Sequence, residues 1–289
     1  MRQILRHMSP WVRIERPTVR STPIVFDSPH SGSIYPSDFG HCIDRLVLRR
    51  SEDAHLEEIF APVTHHGAVL LHALFPRAYI DPNRASHDID VTMLSGVWDE
   101  PVHPTSKTLS RKVGLLWREM RDAGPIYDRL ISPEELRHRL DTCWRPYQDA
   151  LTRALDTAHR DHGVVLHVNA HSMSSHGDKT TEDGPVRRPD VVVGDRDGTS
   201  CAQAMRDCVI DTFRSLGYSV ALNDPYKGFE IVRRHGRPTE NRHSIQIELN
   251  RALYMDERTL AKTEGIFELT AAADTLAGAL VALAPTLAA

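Results

Sequence analysis

The sequence predicts an α/β fold in which a central β-sheet is covered by helices on both faces. Three observations favour this class. Short β-branched runs recur along the chain, helical patterns lie between them, and polar residues follow several of the runs. Strands that alternate with helices form such sheets, and open sheets of this class bind ligands at the carboxyl ends of their strands. We therefore expect the functional residues just after strands.

Seven apolar runs that end in polar residues or glycine predict the strands. In chain order they are residues 23–27, 67–72, 78–81, 163–168, 190–193, 218–222 and 244–249. The segment 89–131 is rich in polar residues, proline and glycine, which indicates an irregular excursion near a site or a surface flap. The chain has no linker and no internal repeat, so we predict a single domain over residues 1–289.

The clearest helix is predicted to begin after Ser132. Ser132 and Glu135 match a capping box, and Pro133 takes the first helical position. Apolar residues then recur at helical spacing up to Gly163, namely Leu136, Leu140, Trp144, Tyr147, Leu151, Leu155 and Ala158. Because a proline inside a helix removes a hydrogen bond and clashes with the preceding turn, we expect Pro146 to bend or divide this helix.

Two further helices are predicted later in the chain. One covers residues 199–216 and ends at Gly217, where a glycine commonly stops a helix. Its predicted buried stripe consists of Cys201, Met205, Val209 and Phe213. An alanine-rich helix occupies much of residues 257–283.

The composition is typical of a soluble globular enzyme, with 40% hydrophobic and 26% charged residues. A formal net charge of -4 provides no excess of positive charge for a nucleic-acid backbone. The N-terminus lacks a continuous apolar signal segment, so export and membrane insertion are disfavoured and we expect a cytoplasmic protein. The four cysteines form no CxxC pair, which predicts reduced core thiols.

Two histidines are predicted to stand at strand ends. His30 lies in SPHSG after the first strand, where proline and glycine predict a sharp turn that exposes the imidazole. His171 comes just after the strand that carries His167 and Asn169. Two imidazoles and a carboxylate, with one position open to water, are the usual plan of a catalytic zinc site. The sequence therefore predicts such a site around His30 and His171.

The acidic ligand is left open between Glu52 and Asp53, at the start of a predicted helix. His55 and Glu58 nearby form an HxxE spacing known from zinc carboxypeptidases. On a helix both side chains would have to turn inward among charged neighbours, so we do not interpret this pair as ligands.

A further carboxylate, Glu248, lies in SIQIELNR on the same strand face as Gln246 and Asn250. The opposite face, with Ile245, Ile247 and Leu249, is apolar. Burying a carboxylate in the middle of a strand is costly without a partner, which favours a functional role.

Arg84, in RAYIDPNR, offers a planar fork that fits a carboxylate, and Asn83 adds an amide. The alternative is a turn in which Asp81 and Arg84 form an ordinary ion pair. No GxSxG, HExxH, Walker or GxGxxG motif is present, so serine hydrolase, zincin, nucleotide triphosphatase and dinucleotide-binding functions have no support.

An ordered set of motifs resembles the N-formylglutamate amidohydrolase family. The set spans about residues 20 to 260 and comprises SPHSG, the acidic residue before LEEIF, YIDPNR, NAHSM, VVVGDRDGTSC, LNDPYKG and IQIELNRALYMDE. The resemblance implies a phosphorylase/hydrolase-like mixed sheet, similar to that of the zinc exopeptidases and aspartoacylases. It also implies hydrolysis of an N-formyl amino acid, N-formyl-L-glutamate, to formate and the free amino acid.

The resemblance further implies one zinc ion per chain and a role for each candidate residue. The metal ligands are His30, Asp53 and His171, the general base is Glu248, and the residues that hold the substrate carboxylate are Asn83 and Arg84. The sequence departs from related patterns in three places. Ser33 replaces the glutamate of carboxypeptidases, Gln148 replaces a histidine common in the family, and LNDPYKGFE lacks the second glycine usual after the lysine. The alternatives are a zinc carboxypeptidase or deacylase that acts on another N-acyl amino acid, and a metal-binding protein without turnover.

Overall fold

The structure, a computed structural model, describes residues 9–121, 123–179 and 181–288. Seven strands form one mixed sheet: β1 (Val12–Glu15), β2 (Ile24–Ser28), β3 (Val69–Ala73), β6 (Val165–Met173), β7 (Val191–Gly194), β8 (Val220–Leu222) and β9 (Arg242–Asn250). Their order is β1-β3-β2-β6-β9-β7-β8. A separate two-stranded sheet consists of β4 (Glu119–Met120) and β5 (Gly124–Pro125).

The four strands β3, β2, β6 and β9 run parallel to one another. The edge strand β1 is antiparallel to β3, and β7 is antiparallel to β9 while parallel to β8. This arrangement confirms the predicted α/β class with a mixed central sheet. Six of the seven predicted strands are present, with bounds shifted by a few residues, whereas β1, β4 and β5 were not predicted.

The helices flank the sheet. They are α1 (Arg45–Arg49), α2 (Leu56–Ile59), α3 (Ser106–Arg111), α4 (Pro133–Arg139), α5 (Arg145–His162), α6 (Gln203–Ser215), α7 (Glu230–His235) and α8 (Gly265–Leu287). Short 3-10 segments occur at Ala61–His66, Val91–Met93, Pro238–Glu240 and Arg251–Leu253. Among its described residues, the predicted excursion at 89–131 contains only one of these segments, α3 and the small sheet.

The two faces of the central strands differ in character. Ile245, Ile247 and Leu249 of β9 join the core that α6 and α8 complete. Leu166, Val168 and Ala170 of β6 belong to the same core. Residues at the intervening positions, including His171 and Glu248, therefore point to the opposite face, on which α5 packs.

Ser132 caps α4 as predicted. Its Oγ accepts a hydrogen bond from the Glu135 N–H at 3.2 Å, and the Glu135 carboxylate accepts one from the Ser132 N–H at 2.9 Å. The α-helix is interrupted directly before Pro146, in line with the expected division. A π-helical turn at Leu140–Trp144 separates α4 from α5, and Pro146 stands in the first turn of α5.

The predicted strand at residues 78–81 is wrong, because this segment forms a turn followed by irregular backbone. Its polar groups are satisfied without a sheet: Tyr79 N–H donates to Pro76 at 3.0 Å, and Asp81 N–H donates to Leu115 at 2.8 Å. The side chains of Tyr79 and Ile80 are buried. The apolar pattern thus reflects burial rather than strand pairing.

The helix α8 is long and apolar enough to span a membrane, judged by length and composition alone. Core helices of soluble proteins meet the same criterion, and Leu269, Leu276 and Leu280 pack into the core. The four cysteines are free, but Cys42 is exposed, so the expectation of a core thiol is wrong at that position.

Candidate functional site

The parallel strands β2, β6 and β9 bring polar residues to one edge of the sheet. His30 follows β2 by two residues, and His171 lies near the carboxyl end of β6. Glu248 of β9 is paired in register with His171. Asp53 lies in the loop between α1 and α2, and its N–H donates to the carbonyl of His30 at 2.9 Å. One backbone hydrogen bond therefore ties this loop to the strand end.

Among the described residues, one group of histidine, cysteine and acidic side chains is close enough to hold a metal ion. It consists of His30, Asp53 and His171, with one ligand atom of each within 4.8 Å of the others. All three side chains are buried. The neighbouring carboxylate of Glu52 turns away, accepting hydrogen bonds from Tyr35 Oη at 2.8 Å and Arg49 Nε at 3.0 Å.

The HxxE pair lies outside this group. His55 Nε2 contacts the Leu260 carbonyl oxygen at 2.9 Å, and Glu58 forms an ion pair with Lys262. Both side chains thus have other partners.

His30 presents one nitrogen to the group and binds a carboxylate through the other. Its Nε2 lies 2.6 Å from Asp81 Oδ1, while its Nδ1 lies 3.4 Å from Asp53 Oδ2 and has no hydrogen-bond partner among the described residues. Burial would raise the pKa of Asp81, but the charges of His30 and Arg77 hold it well below its usual range. Asp81 is therefore an anionic acceptor, and the orphaned Nδ1 fits a metal ligand.

His171 is oriented in the same manner by an amide. Its Nδ1 lies 3.0 Å from Asp53 Oδ2, and its Nε2 lies 2.8 Å from Asn169 Oδ1. The amide orientation is fixed because Asn169 Nδ2 donates to Asp27 Oδ1 at 2.8 Å. Tyr147 Oη donates to the other oxygen of Asp27 at 2.6 Å. His171 therefore carries its proton on Nε2, which leaves the Nδ1 lone pair available to a cation.

The carboxylate of Asp53 faces both imidazoles with Oδ2 and is held through Oδ1 by Arg251 Nη2 at 2.8 Å. Burial would raise the pKa of Asp53, but the neighbouring imidazoles of His171 and His30 and the charge of Arg251 lower it well below its usual value. Two imidazoles and one anionic carboxylate form a donor set that suits zinc.

Glu248 lies beside this group and is only 8% exposed. Its Oε1 accepts a hydrogen bond from Gln246 Nε2 at 2.8 Å, and Oε2 accepts none from the residues that the structure describes. Burial raises the pKa of Glu248 to about 7, an effect that the charge of His171 opposes and that of Asp53 reinforces. Glu248 therefore has one oxygen fixed and one free.

Asn83 also reaches the group. Its Oδ1 accepts a hydrogen bond from Ile231 N–H at 2.9 Å, which directs its Nδ2 to within 3.1 Å of His171 Nε2. Two donors cannot bond to each other, and the contact of His171 with Asn169 is the shorter one at 2.8 Å. The Asn83 amide hydrogens are thus available to a ligand.

The buried guanidinium of Arg84 lies over the Phe229 ring, 4.4 Å from its centroid. The predicted alternative, a turn with an ion pair between Asp81 and Arg84, is present in part. The backbone N–H of Arg84 donates to the carbonyl of Asp81 at 3.2 Å and closes the turn. The ion pair, however, is formed with Asp88, over a long 3.4 Å contact to Nη1. Gln148 Nε2 supports this turn by donating to Pro82 O at 2.7 Å.

Several supporting residues were not assigned a role in the site from the sequence. They are Asp27, Asp81, Asn169 and Arg251, together with His167, whose Nε2 lies 2.8 Å from Asp27 Oδ1. A carboxylate within the apolar run IVFDS was a signal for Asp27. For Arg251 the only signal was its place directly after β9.

The size of a cavity does not locate the site. A cavity of about 1050 Å³ lies between β1 and α5, and its lining includes none of the three candidate ligands. A smaller one, of about 230 Å³, is lined in part by Gln246, which is bonded to Glu248. We assign the site from the convergence of its side chains and not from cavity volume.

Comparisons with known proteins agree on one family. The sequence model of the N-formylglutamate amidohydrolase family matches residues 22–255. The chain is 29% identical over 240 residues to N-formylglutamate deformylase of Pseudomonas aeruginosa, covering 82% of this chain and 83% of that protein. The enzyme of the same name from Pseudomonas putida is 27% identical over 239 residues, covering 81% of this chain and 82% of that protein.

One solved structure leads to the same family, and a second shares the fold. The crystal structure of N-formylglutamate amidohydrolase from Ralstonia eutropha is 40% identical, with a TM-score of 0.90 and coverage of 96% of this chain and 99% of that chain. A protein from Agrobacterium tumefaciens, 16% identical, shares the fold with a TM-score of 0.65 over 96% of this chain and 94% of that one. The chain is therefore a hydrolase that belongs to the N-formylglutamate amidohydrolase family.

Proposed function

We propose that the protein is a cytoplasmic enzyme that uses water to split N-formyl-L-glutamate into formate and L-glutamate, with one zinc ion per chain. The observation that carries this proposal is the meeting of His30, Asp53 and His171 in one buried group with Glu248 beside it. The similarity to proteins named N-formylglutamate deformylase supports the choice of substrate.

The zinc ligands in this proposal are Nδ1 of His30, Nδ1 of His171 and the carboxylate of Asp53. Asp81 and Asn169 bind the other nitrogen of each imidazole, and such partners fix the tautomer and orientation of metal-bound histidines. A zinc ion bound there supplies Lewis acidity, which polarises the formyl carbonyl and acidifies water.

Glu248 acts as the general base through Oε2, because Gln246 fixes Oε1. The oxygen takes a proton from the attacking water and returns it to the nitrogen of the leaving amine. The C–N bond then breaks, and the oxygen of water remains in formate. The register of β6 and β9 keeps Glu248 next to His171 during both proton transfers.

Asn83 and Arg84 bind the substrate carboxylate. The guanidinium has a long contact with Asp88 and stacks on Phe229. These contacts hold it in place and leave several of its N–H donors available to a ligand. A planar guanidinium binds a carboxylate with two parallel hydrogen bonds. The amide of Asn83 orients the bound molecule on the side of His171.

Formate release by the purified protein tests this function. N-formyl-L-glutamate should yield formate and glutamate in equal amounts, a chelator should stop the reaction, and added zinc should restore it. Release of other acyl groups without formate would instead support a deacylase. Bound metal without turnover of any N-acyl amino acid would support a metal-binding protein.

A further inference from the structure

A small cavity of about 230 Å³ lies next to the proposed general base. Gln246 forms part of its wall, and the same side chain donates to Glu248 Oε1 at 2.8 Å and accepts from the Phe229 N–H at 3.2 Å. The wall of the cavity is thus hydrogen-bonded directly to the reacting carboxylate. A ligand in the cavity would lie beside the reaction centre.

The lining carries more positive than negative charge. Its cations are Lys107, Arg196 and Lys227, and its carboxylate is Glu182. Lys107 Nζ lies 3.4 Å from Glu182, whose side chain is 61% exposed, and a pair so open to solvent is weak. Lys227 binds Asp197, which is also exposed and lies outside the lining.

Arg196 has the least compensated charge of the three. Its Nη1 donates to the Gly228 carbonyl at 3.1 Å, and it forms no ion pair with any carboxylate in the described part of the chain. The peptide oxygen orients the guanidinium without neutralising it. An anion in the cavity would therefore find a positioned counterion.

Phe229 lines this cavity, and its ring also contacts Arg84. The guanidinium carbon of Arg84 is 4.4 Å from the ring centroid, and Lys107 Nζ is 5.7 Å from it. Because both cations contact the same ring, a molecule held by one carboxylate at Arg84 lies close to Lys107. A second carboxylate on that molecule would meet a cation there, whereas a neutral side chain would gain no such contact.

We propose that this cavity binds the side-chain carboxylate of a dicarboxylic N-formyl amino acid, with Arg196 and Lys107 as its counterions. The proposal rests on the proposed function, since Arg84 is assigned to the other carboxylate of the same molecule. It makes the cavity the part of the site that selects acidic substrates over neutral ones of equal size.

The test compares N-formyl-L-glutamate with N-formyl-L-glutamine, which has the same shape and no side-chain charge. The wild type should prefer the glutamate compound by about tenfold or more in kcat/KM. Arg196→Met and Lys107→Met should each lower kcat/KM for that compound by about 10- to 100-fold, the range for a lost hydrogen bond to a charged group. Turnover of the glutamine compound should change by less than about threefold. Arg196→Lys should keep most of the preference.

Arg160→Met is the matched control, because Arg160 is an exposed residue of α5 that pairs with Asp161. It should leave both substrates unaffected. Zinc content and melting temperature, measured on every variant, should match the wild type. Binding of glutarate and butyrate by calorimetry gives a second readout: glutarate should bind more tightly, and Arg196→Met should abolish the difference.

Equal use of both substrates by the wild type would overturn the proposal, as would equal losses on both in the variants. Both results leave the deformylase function intact. If the wild type released formate from neither compound, the proposed function would be overturned. The comparison of glutarate with butyrate would then still decide whether the cavity binds a second carboxylate.

Discussion

His171 Nε2 bonds to Asn169 Oδ1 over 2.8 Å, two residues earlier on the same face of β6. The Asp27 carboxylate can accept a hydrogen bond from the amide nitrogen of Asn169 but not from its amide oxygen, so the orientation of this amide is fixed. The hydrogen bond thereby determines which imidazole nitrogen of His171 is free. Asn169 would then influence how tightly the zinc ion binds without contacting it.

Asn169→Ala should weaken zinc binding about 10- to 100-fold, the usual effect of removing a partner of a metal-bound histidine. A competitive chelator titration measures it. Asn250→Ala is the control, because Asn250 is a buried asparagine of β9 that donates to backbone carbonyls of Arg188 and Pro189. Equal zinc affinity in both variants would show that Asn169 does not orient His171.

His30→Ala and His171→Ala should each abolish stoichiometric zinc binding, because each removes one of three ligands. Metal analysis of purified protein should find about one zinc per chain in the wild type. His55→Ala should keep its zinc, since His55 contacts the Leu260 carbonyl and not the group. Full occupancy in both ligand variants would place the metal elsewhere.

Glu248→Gln should fold, keep its zinc and lose activity by roughly 100- to 10,000-fold, because only the basic oxygen is removed. Formate release, metal content and melting temperature on this one variant separate three roles. Near-normal activity with a lower melting temperature would make Glu248 structural. Loss of the metal would make Glu248 a ligand and remove that role from Asp53.

Arg84→Ala should reduce kcat/KM on N-formyl-L-glutamate by an amount equivalent to roughly 2 to 5 kcal/mol, the cost of leaving a buried charge unpaired. Zinc content should stay the same. Arg118→Ala removes a half-exposed arginine that pairs with Asp90 and should change neither quantity. Unchanged kinetics in Arg84→Ala would show that Arg84 has only a structural role in its turn.

The ion pair between Asp183 and Arg188 predicts how the stability of the fold depends on pH. Hydrogen bonds from Arg188 at 2.7 and 3.0 Å lower the pKa of Asp183 from 3.8 to about 2. Because the folded pKa lies below the unfolded one, the pair stabilises the fold above about pH 4 and this stability is lost as the pH falls towards 2. Asp183→Asn should lower the melting temperature at pH 7 by a few degrees. The difference from wild type should shrink below pH 4, and a constant difference would contradict the assignment.

The strand pattern alone pointed to much of the candidate site. Alternation along β9 placed Glu248 on the polar face, and the turn after β2 placed His30 at a strand end. Periodicity is a local property, so it identifies which side of a strand a residue occupies. Motif resemblance, not periodicity, selected Asp53 over Glu52.

The supporting contacts could not be predicted in this way. Asn169 meets Asp27 across 142 residues of chain, and no local pattern encodes that distance. The choice between Glu52 and Asp53 depends on the hydrogen bond from the Asp53 N–H to His30 O, which forms between a loop and a strand end. The wrong strand prediction at 78–81 has the same cause, because a run of apolar residues indicates burial but not which segment of the chain it pairs with.

The π-helical turn at Leu140–Trp144 sets the rotational phase of α5. A regular α-helix advances each residue by about 100°, whereas a π turn takes in an additional residue. Three side chains after its start depend on this phase: Trp144 donates to Arg84 O, Tyr147 to Asp27 and Gln148 to Pro82 O. Deleting one residue would give a more regular helix but rotate all three away from these partners. A regular helix and these three hydrogen bonds therefore exclude each other, and the fold keeps the hydrogen bonds.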